Sequence, residues 1–207
     1  MIAVVDYKMG NPGSIINMLK RVGGEAELTD DPEMIARADR LILPGVGAFD
    51  AGMANLAQHG LLPALNRFAL EERRPVLGIC LGMQLMGRRS QEGSLRGLGW
   101  LDADTVRFGF DQAATGLKIP HMGWNSVRAV GEGGLFRGLE EEAFFYFVHS
   151  YHLVCDREEE VSGWTSHGYP FPAAVRRENV MGVQFHPEKS HRYGLTLLAN
   201  FAEAGAC

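Results

Sequence analysis

Cys80 has the surroundings of a catalytic nucleophile. It follows a short apolar run at 76–79, lies between Gly78 and Gly82, and precedes a helix-like segment that begins near Gln84. Glycines at this spacing permit the strained strand-to-helix turn, or nucleophile elbow, that exposes a side chain for attack. Most lone cysteines are buried structural residues, which is the alternative here. The flanking glycines, the preceding strand and the following helix together favour a nucleophilic thiol.

The tripeptide His186-Pro187-Glu188 could supply the base that such a cysteine needs. A thiol attacks as its thiolate, so it requires a proton acceptor and a group that orients this acceptor. His186 could take the thiol proton and later protonate a leaving amine, while Glu188 holds the ring. For the tripeptide alone, a surface turn is the alternative. It follows an apolar strand, however, and open α/β folds place their sites where the carboxyl ends of parallel strands meet. We therefore predict a triad of Cys80, His186 and Glu188.

An acyl transfer also needs hydrogen-bond donors for the negative oxygen that develops on the substrate. The backbone N–H of Leu81 directly follows the nucleophile at the start of a helix, which suits this role. The Pro-Gly-Val-Gly loop at 44–47 ends another predicted strand, and its glycines would let a second donor approach. By itself this loop is a common turn.

The order of the elements predicts the fold class. Up to about residue 88, buried strands without alternation are followed by helical segments, as in a parallel sheet covered by helices. Strands are expected at 2–5, 25–28, 40–43 and 76–79, and helices at 14–22, from 32, at 51–58, at 62–70 and from the elbow to 88. Beyond residue 93, shorter strands are expected at 100–110, 123–130, 143–153, 163–166, 173–177 and 180–185, and a closing helix at 193–204. The prediction is a single α/β domain over 1–207, with a mostly parallel doubly wound sheet, flanking helices and additional antiparallel strands.

The composition excludes several classes of protein. The chain has 207 residues, 46% hydrophobic and 22% charged, and its net charge of −5 does not suit binding to nucleic acid or an anionic membrane. Three cysteines, Cys80, Cys155 and Cys207, without metal-site spacing indicate a reducing compartment. The first residues read as a strand and not as a signal peptide, and no apolar stretch reaches membrane-spanning length. We therefore expect a cytoplasmic protein.

Several segments resemble a known family. The signature of class I, or triad-type, glutamine amidotransferases is similar to GICLGMQ at 78–84 together with HPE at 186–188. Within this group, other segments resemble the glutaminase subunits of imidazole glycerol phosphate synthase, the HisH family. These segments are DY at 6–7, MGN at 9–11, PGVG at 44–47, IPHMGWN at 119–125 and YFVHSY at 146–151. The resemblance spans nearly the whole chain, and HMGWN is its most family-specific segment.

The resemblance implies a glutaminase that hydrolyses L-glutamine through a γ-glutamyl thioester on Cys80. His186 would be the general base and acid, Glu188 its orienting partner, and Gly47 the second oxyanion donor after reorientation of its peptide. The residues implied to bind glutamine are Gln84, Glu92, Ser150 and Tyr151. No cofactor and no metal are implied.

The resemblance also implies a partner. A HisF-type (β/α)8-barrel cyclase would form a heterodimer with the chain, receive the ammonia through its interior, and make imidazole glycerol phosphate and AICAR in histidine biosynthesis. The residues implied to lie toward this partner are Asn11, Trp124, Tyr146 and Lys189.

Simpler interpretations exist for some of these residues. Trp124 and Tyr146 could be core aromatics. The histidines at 121, 149 and 152 lack metal-site spacing and are expected to be structural. The run Glu158-Glu159-Glu160 is expected to be a solvated turn, and Cys155 a buried filler.

Some segments depart from the histidine-pathway pattern. Lys8 stands where relatives usually carry glycine, the GWLDAD segment at 99–104 differs, and SHRY at 190–193 is closer to paralogues that amidate sugars for surface polysaccharide. A glutaminase feeding such a synthase is therefore the main alternative. A cysteine peptidase or γ-glutamyl hydrolase, and a non-catalytic binding module, are further alternatives. Gln84, Glu92 and the HMGWN segment oppose the former, and the intact triad opposes the latter.

Overall fold

The computed structural model describes residues 1–131 and 133–203, and its first half consists of strand–helix units. Its strands are short and mostly buried. In chain order they are β1 (Ile2–Val5), β2 (Ala26–Thr29), β3 (Arg40–Leu43) and β4 (Val76–Ile79). The helices of this half are α1 (Gly13–Arg21), α2 (Pro32–Arg37), α3 (Phe49–Gln58), α4 (Leu62–Asn66) and α5 (Leu81–Leu85). A π-helical turn, Arg67–Glu71, continues α4.

The second half is mainly β-structure. Its strands are β5 (Arg89–Ser90), β6 (Ala103–Arg107), β7 (His121–Ala129), β8 (Glu142–His149), β9 (Tyr151–Cys155), β10 (Val161–Ser166), β11 (Pro170–Arg177) and β12 (Val180–Val183). Its helices are α6 (Gln112–Thr115) and α7 (His191–Glu203). Short 3₁₀ turns lie at Gly134–Phe136, Glu158–Glu160 and Pro187–Lys189.

The central sheet has nine strands in the order β2-β1-β3-β4-β12-β11-β10-β7-β8. Neighbours from β2 to β12 pair in parallel, and the remaining neighbours pair antiparallel. The strands β5, β6 and β9 form a separate small sheet. Strand β4 thus lies between β3 and β12, so the loops after these three strands emerge at one edge. The topology confirms the predicted fold class.

Side chains of the parallel strands alternate between two buried layers. In β1, Ile2 and Val4 pack in the layer that contains α1 and α7, whereas Ala3 and Val5 pack with the helices α2 to α5. An alternation of this kind with apolar residues on both faces requires helices on both sides of the sheet. The strand ends that carry the candidate site are therefore held between two cores.

The predicted strands at 2–5, 40–43 and 76–79 are confirmed with the expected bounds. The single strand expected at 143–153 is wrong, because β8 and β9 belong to different sheets and the chain turns at Ser150. The strand expected at 100–110 is shorter, since only Ala103–Arg107 pairs with β9. No helix within the described ranges is both long and apolar enough to cross a membrane.

The elbow helix α5 ends at Leu85, three residues before the predicted end. Its last carbonyl groups bind the backbone of a distant segment: Leu98 donates to Leu85, and Trp100 donates to Met86. Tertiary hydrogen bonds of this kind replace the intrahelical ones, so the helix stops earlier than its sequence suggests.

Candidate active site

Cys80 lies on a strained turn between β4 and α5. Its φ of 53° and ψ of −109° fall outside the regions that ordinary residues favour. The backbone approaches closely on both sides: a Cβ on Gly82 would lie 1.8 Å from the Leu43 carbonyl oxygen, and one on Gly78 would lie 2.7 Å from the Met83 nitrogen. Both glycines are therefore sterically required, as expected of a nucleophile elbow.

Strand pairing brings the cysteine and histidine segments to the same edge. In the parallel pair β4–β12, Ile79 is opposite Val183, and the Cys80 N–H donates to the Val183 carbonyl oxygen at 2.8 Å. His186 follows three residues after Val183, and its N–H donates to the Tyr146 carbonyl oxygen at 2.8 Å. The two loops thus leave neighbouring strands at their carboxyl ends, where open α/β sheets place their sites.

His186 and Glu188 form a buried pair. The His186 Nδ1 lies 2.7 Å from the Glu188 Oε1, and the side chains are 1% and 8% exposed. Burial alone lowers the pKa of His186, but its interactions with the Cys80 side chain and with the Glu188 carboxylate outweigh this and raise it to about 10. The other ring nitrogen, Nε2, is buried and makes no hydrogen bond to any residue in the described part of the chain. This geometry can orient an imidazole and stabilise its protonated form.

The two predicted oxyanion donors, Leu81 and Gly47, lie near each other but make different contacts. The Leu81 N–H donates to the Gly45 carbonyl oxygen at 3.3 Å, so the donor is engaged within the protein. Gly47 has a φ of +129°, and a Cβ there would lie 2.7 Å from the Met9 Cε. The buried Tyr7 hydroxyl donates to the Pro44 carbonyl oxygen at 2.5 Å and fixes the start of this loop. The loop at 44–47 thus lies against the first turn of α5.

Three of the four residues predicted to bind glutamine lie at neighbouring positions. The Gln84 Nε2 donates to the Tyr151 carbonyl oxygen at 3.0 Å, and the Ser150 carbonyl accepts from the Phe108 N–H at 3.1 Å. Glu92 lies apart from them, where its Oε2 accepts from the Phe49 N–H at the start of α3 at 2.9 Å. Glu92 therefore lies next to the loop that contains Gly47.

The four residues predicted to face a partner lie near His186. Trp124 is 46% exposed and stacks on His191, with ring centroids 5.3 Å apart and an interplanar angle of 8°. Tyr146 meets the Trp124 ring edge-on, and the Lys189 Nζ lies 5.6 Å from the Tyr146 ring centroid. The exposure of Trp124 excludes a place in the core.

The fourth of these residues, Asn11, lines a narrow cleft together with Gly45, His186 and Glu188. Nearby, Lys8 adopts a positive φ of 64° and pairs with Asp6 at 2.7 Å. A glycine at position 8 would adopt this φ without strain. Lys8, which stands where relatives usually carry glycine, therefore adds backbone strain as well as a positive charge.

The histidines predicted to be structural lie in a buried cluster of rings. The His121 Nδ1 lies 3.0 Å from the His149 Nε2, and both rings pack around Phe108. Burial and the neighbouring His167 lower the pKa of His121 to about 4, and burial lowers the pKa of His149 well below its usual value. Within residues 1–131 and 133–203, no group of three or more metal-ligating side chains is placed to hold a metal ion.

The structure differs from two further predictions, the solvated turn at 158–160 and the buried Cys155. The 3₁₀ turn at Glu158–Glu160 is not wholly solvated, because Glu160 is buried and its Oε1 lies 3.5 Å from the Arg177 Nε. Cys155 is partly buried at the end of β9. Cys207 lies outside the described residues.

Sequence reasoning missed Gln184. This residue is fully buried, and its Nε2 lies 3.7 Å from the Cys80 Sγ. The signal was present, since Gln184 interrupts the apolar run of 180–185 directly before His186. A buried polar residue in such a run needs hydrogen-bonding partners, and the Gln184 amide lies between the Cys80 sulfur and the Gln84 amide.

Comparison with known proteins finds a matching family and close relatives. The family model of glutamine amidotransferase class-I matches residues 3–204. A protein of Methanococcus maripaludis named imidazole glycerol phosphate synthase subunit HisH 2 is 49% identical over 97% of this chain and 98% of its own length. A protein of Pseudomonas aeruginosa with the same name is 49% identical over 98% of this chain and 99% of its own.

A solved structure shares the fold. A putative GMP synthase protein of Thermoplasma acidophilum superposes with a TM-score of 0.71, covering 97% of this chain and 91% of its own at 20% identity. With a full-length family match and relatives at nearly half identity, the chain belongs to the class I glutamine amidotransferases and, within them, to the HisH family of imidazole glycerol phosphate synthase subunits.

Proposed function

We propose that this chain is the glutaminase subunit of an imidazole glycerol phosphate synthase and acts in histidine biosynthesis. The observation that carries this proposal is the strained Cys80 turn beside the buried His186–Glu188 pair, in a chain that belongs to the HisH family. Its substrate is L-glutamine, its products are glutamate and ammonia, and it works as one domain in the cytoplasm. The free Cys80 and Cys155 suit a reducing compartment.

In the first half-reaction, His186 accepts the Cys80 thiol proton and the sulfur attacks the carboxamide carbon of glutamine. The carbonyl oxygen becomes negative, and the N–H groups of Leu81 and Gly47 stabilise it. His186 then donates the proton to the departing nitrogen as the carbon–nitrogen bond breaks. Ammonia leaves, and a γ-glutamyl thioester remains on Cys80.

In the second half-reaction, His186 takes a proton from water, whose oxygen attacks the thioester carbon. The carbon–sulfur bond breaks, glutamate leaves, and Cys80 regains its proton. Glu188 keeps the His186 ring oriented and balances its positive charge in both halves. Gln84 and Glu92 contact the glutamine substrate, and the backbone at Ser150 and Tyr151 holds its α-substituents.

The ammonia passes to a HisF-type (β/α)8-barrel cyclase that docks at the surface formed by Asn11, Trp124, Tyr146 and Lys189. An exposed tryptophan with an adjacent tyrosine and lysine supports an interface, because aromatic residues are enriched in binding hot spots and charged residues at their rims. This surface lies beside His186, so the released ammonia has a short path to the partner.

The proposal is tested by combining the purified chain with a HisF-type cyclase and measuring formation of imidazole glycerol phosphate. We expect co-purification and a product yield that depends on glutamine. Formation of the complex without glutamine-dependent product would contradict the proposal, and so would glutamine hydrolysis with no binding to the cyclase.

A second candidate is a glutaminase that supplies ammonia to a sugar-amidating synthase. One observation favours it: the SHRY segment at 190–193, which is closer to the sugar-amidating paralogues, places His191 on Trp124 at the proposed docking surface. Genetic complementation separates the candidates. A strain that lacks its own HisH should grow without histidine when it expresses this chain with a cognate cyclase, and failure would favour the second candidate.

A further inference from the structure

Two buried side-chain amides connect the Cys80 sulfur to the Tyr151 peptide. The Gln184 Nε2 lies 3.7 Å from the Cys80 Sγ, and the Gln184 Oε1 accepts from the Gln84 Nε2 at 3.0 Å. The same Gln84 nitrogen donates to the Tyr151 carbonyl oxygen at 3.0 Å. Gln184 is 0% exposed and Gln84 is 5% exposed, so bulk water has little access to these bonds.

The Tyr151 carbonyl determines the direction of each hydrogen bond between it and the sulfur. A carbonyl oxygen only accepts, so Gln84 must present its NH₂ group to it. That NH₂ group also meets Gln184, which must therefore turn its own oxygen toward Gln84. The NH₂ group of Gln184 is consequently left facing the sulfur.

A second set of contacts fixes the Tyr151 carbonyl from the other side. The His149 Nδ1 lies 2.8 Å from this oxygen and must be the donor, which leaves the His149 Nε2 as an acceptor. The His121 Nδ1, 3.0 Å away, then donates to it, and the His121 Nε2 accepts from the Asn125 Nδ2 at 3.1 Å. Both histidines are neutral in this arrangement, in agreement with their lowered pKa values.

We propose that Gln184 is a residue of the nucleophilic site that donates a hydrogen bond to the Cys80 sulfur, and that Gln84 is the positioning residue that holds its amide in the donating orientation. An NH₂ group can only donate, so it favours the thiolate over the thiol at this position. Gln84 therefore acts in the chemistry through its contact with Gln184, in addition to any contact with the substrate. This inference rests on the proposed role of Cys80.

Alkylation of Cys80 by iodoacetamide tests the inference without glutamine or a partner. Gln184→Met keeps the length and removes the donor, while Gln184→Glu replaces the donor with a negative oxygen. At pH 7 we expect the rate of Cys80 alkylation, followed by peptide mass mapping, to fall about tenfold in Gln184→Met and further in Gln184→Glu. At pH 10, where the thiolate no longer limits the rate, the variants should come within about twofold of the wild type. A packing defect would not produce this convergence.

Two further variants make the test specific. Gln84→Met leaves Gln184 in place but removes the amide that orients it. We therefore expect the Cys80 alkylation rate at pH 7 to fall by only about threefold. Asn179→Leu is the matched control, because Asn179 is a buried amide near the opposite end of the same strand and binds the Ala69 and Arg74 carbonyl groups. It should destabilise the fold and leave the Cys80 alkylation rate unchanged.

The outcomes separate this inference from the proposed function. Folded Gln184→Met and Gln184→Glu proteins with wild-type alkylation rates at pH 7 would overturn the role of Gln184. A wild-type Cys80 no more reactive at pH 7 than an unfolded cysteine peptide would instead contradict the proposed nucleophile. If Gln184→Met does not fold, the Cys80 alkylation rates of Gln84→Met and Asn179→Leu at pH 7 are compared instead. Equal rates in these two variants would overturn the inference.

Discussion

The Leu81 N–H and the Gly45 carbonyl oxygen are joined by a hydrogen bond with an N···O distance of 3.3 Å. This N–H directly follows Cys80 and is the donor best placed for an oxyanion, but a carbonyl of the facing loop holds it. The buried Tyr7 hydroxyl fixes the start of this loop through Pro44. If Leu81 and Gly47 act as the proposed oxyanion donors, the loop at 44–47 must withdraw its carbonyl and present a donor instead, and we propose that docking of the partner supplies the free energy for this change.

We predict that the isolated chain hydrolyses glutamine slowly and that a cyclase with its ligand bound raises the rate about 10²–10³-fold, the usual effect of one oxyanion donor. Glutamate release measured with and without the cyclase checks this. The alkylation rate of Cys80 is the control, because it should change far less than the turnover of glutamine. An isolated chain that already works at the full rate would show that the loop needs no rearrangement.

Glu188→Gln should retain binding of glutamine but lower kcat about 10²–10⁴-fold, because the His186 ring loses the carboxylate that orients it and balances its charge. Steady-state kinetics of the complex with glutamine measure this effect. The variant should bind the cyclase with wild-type affinity in isothermal titration, which excludes loss of assembly. Wild-type kcat in this variant would remove Glu188 from the triad.

The buried pair His121–His149 should make the protein sensitive to acid. The pKa of His121 in the folded protein is about 4, below its ordinary 6.5, so the unfolded chain binds the proton first as the pH falls. The free energy of unfolding should therefore decrease as the pH falls from 6.5 toward 4, by on the order of 1–2 kcal/mol at pH 5 for this residue. His121→Gln should lose less on going from pH 7 to pH 5 in urea titrations. An equal loss in both proteins would contradict the assignment of this effect to His121.

Trp124→Ala should weaken binding of the cyclase about tenfold or more, since the exposed ring and its stack on His191 would be lost from the interface. Isothermal titration with the cyclase gives the affinity. Leu70→Ala is the matched control, because Leu70 is also about half exposed but precedes β4, at the opposite end of the parallel strands. Equal affinities of the two variants would place the interface elsewhere.

The parts of the fold predicted best are those in which local pattern and tertiary environment agree. Strands β3 and β4 are short apolar runs followed by a proline and glycine loop or by the elbow, and both faces are buried, so their bounds could be predicted. The turn at Ser150 was missed because apolar residues continue on both sides of it. Only pairing with different sheets separates β8 from β9, and that information is not local.

The difference between local sequence pattern and non-local contact also explains which residues of the candidate site could be predicted. Cys80, His186 and Glu188 could be predicted because a nucleophile elbow and a His-Pro-Glu segment have recognisable local patterns. For Gln184 the local pattern shows only a polar residue within an apolar run, and its contact with the Cys80 sulfur, 104 positions away in the chain, follows from strand pairing alone. The contact between Leu81 and Gly45 could not be predicted either, since it depends on the conformation of a loop and not on residue types.

Trapping of the γ-glutamyl thioester on Cys80 tests the proposed chemistry most directly. The complex with the cyclase is mixed with glutamine and quenched in acid, and the mass of the peptide that contains Cys80 is measured. We predict a γ-glutamyl adduct on Cys80, and a Cys80→Ala complex that forms product from ammonia but not from glutamine. Glutamine-dependent product from Cys80→Ala would contradict the role of Cys80 as the nucleophile.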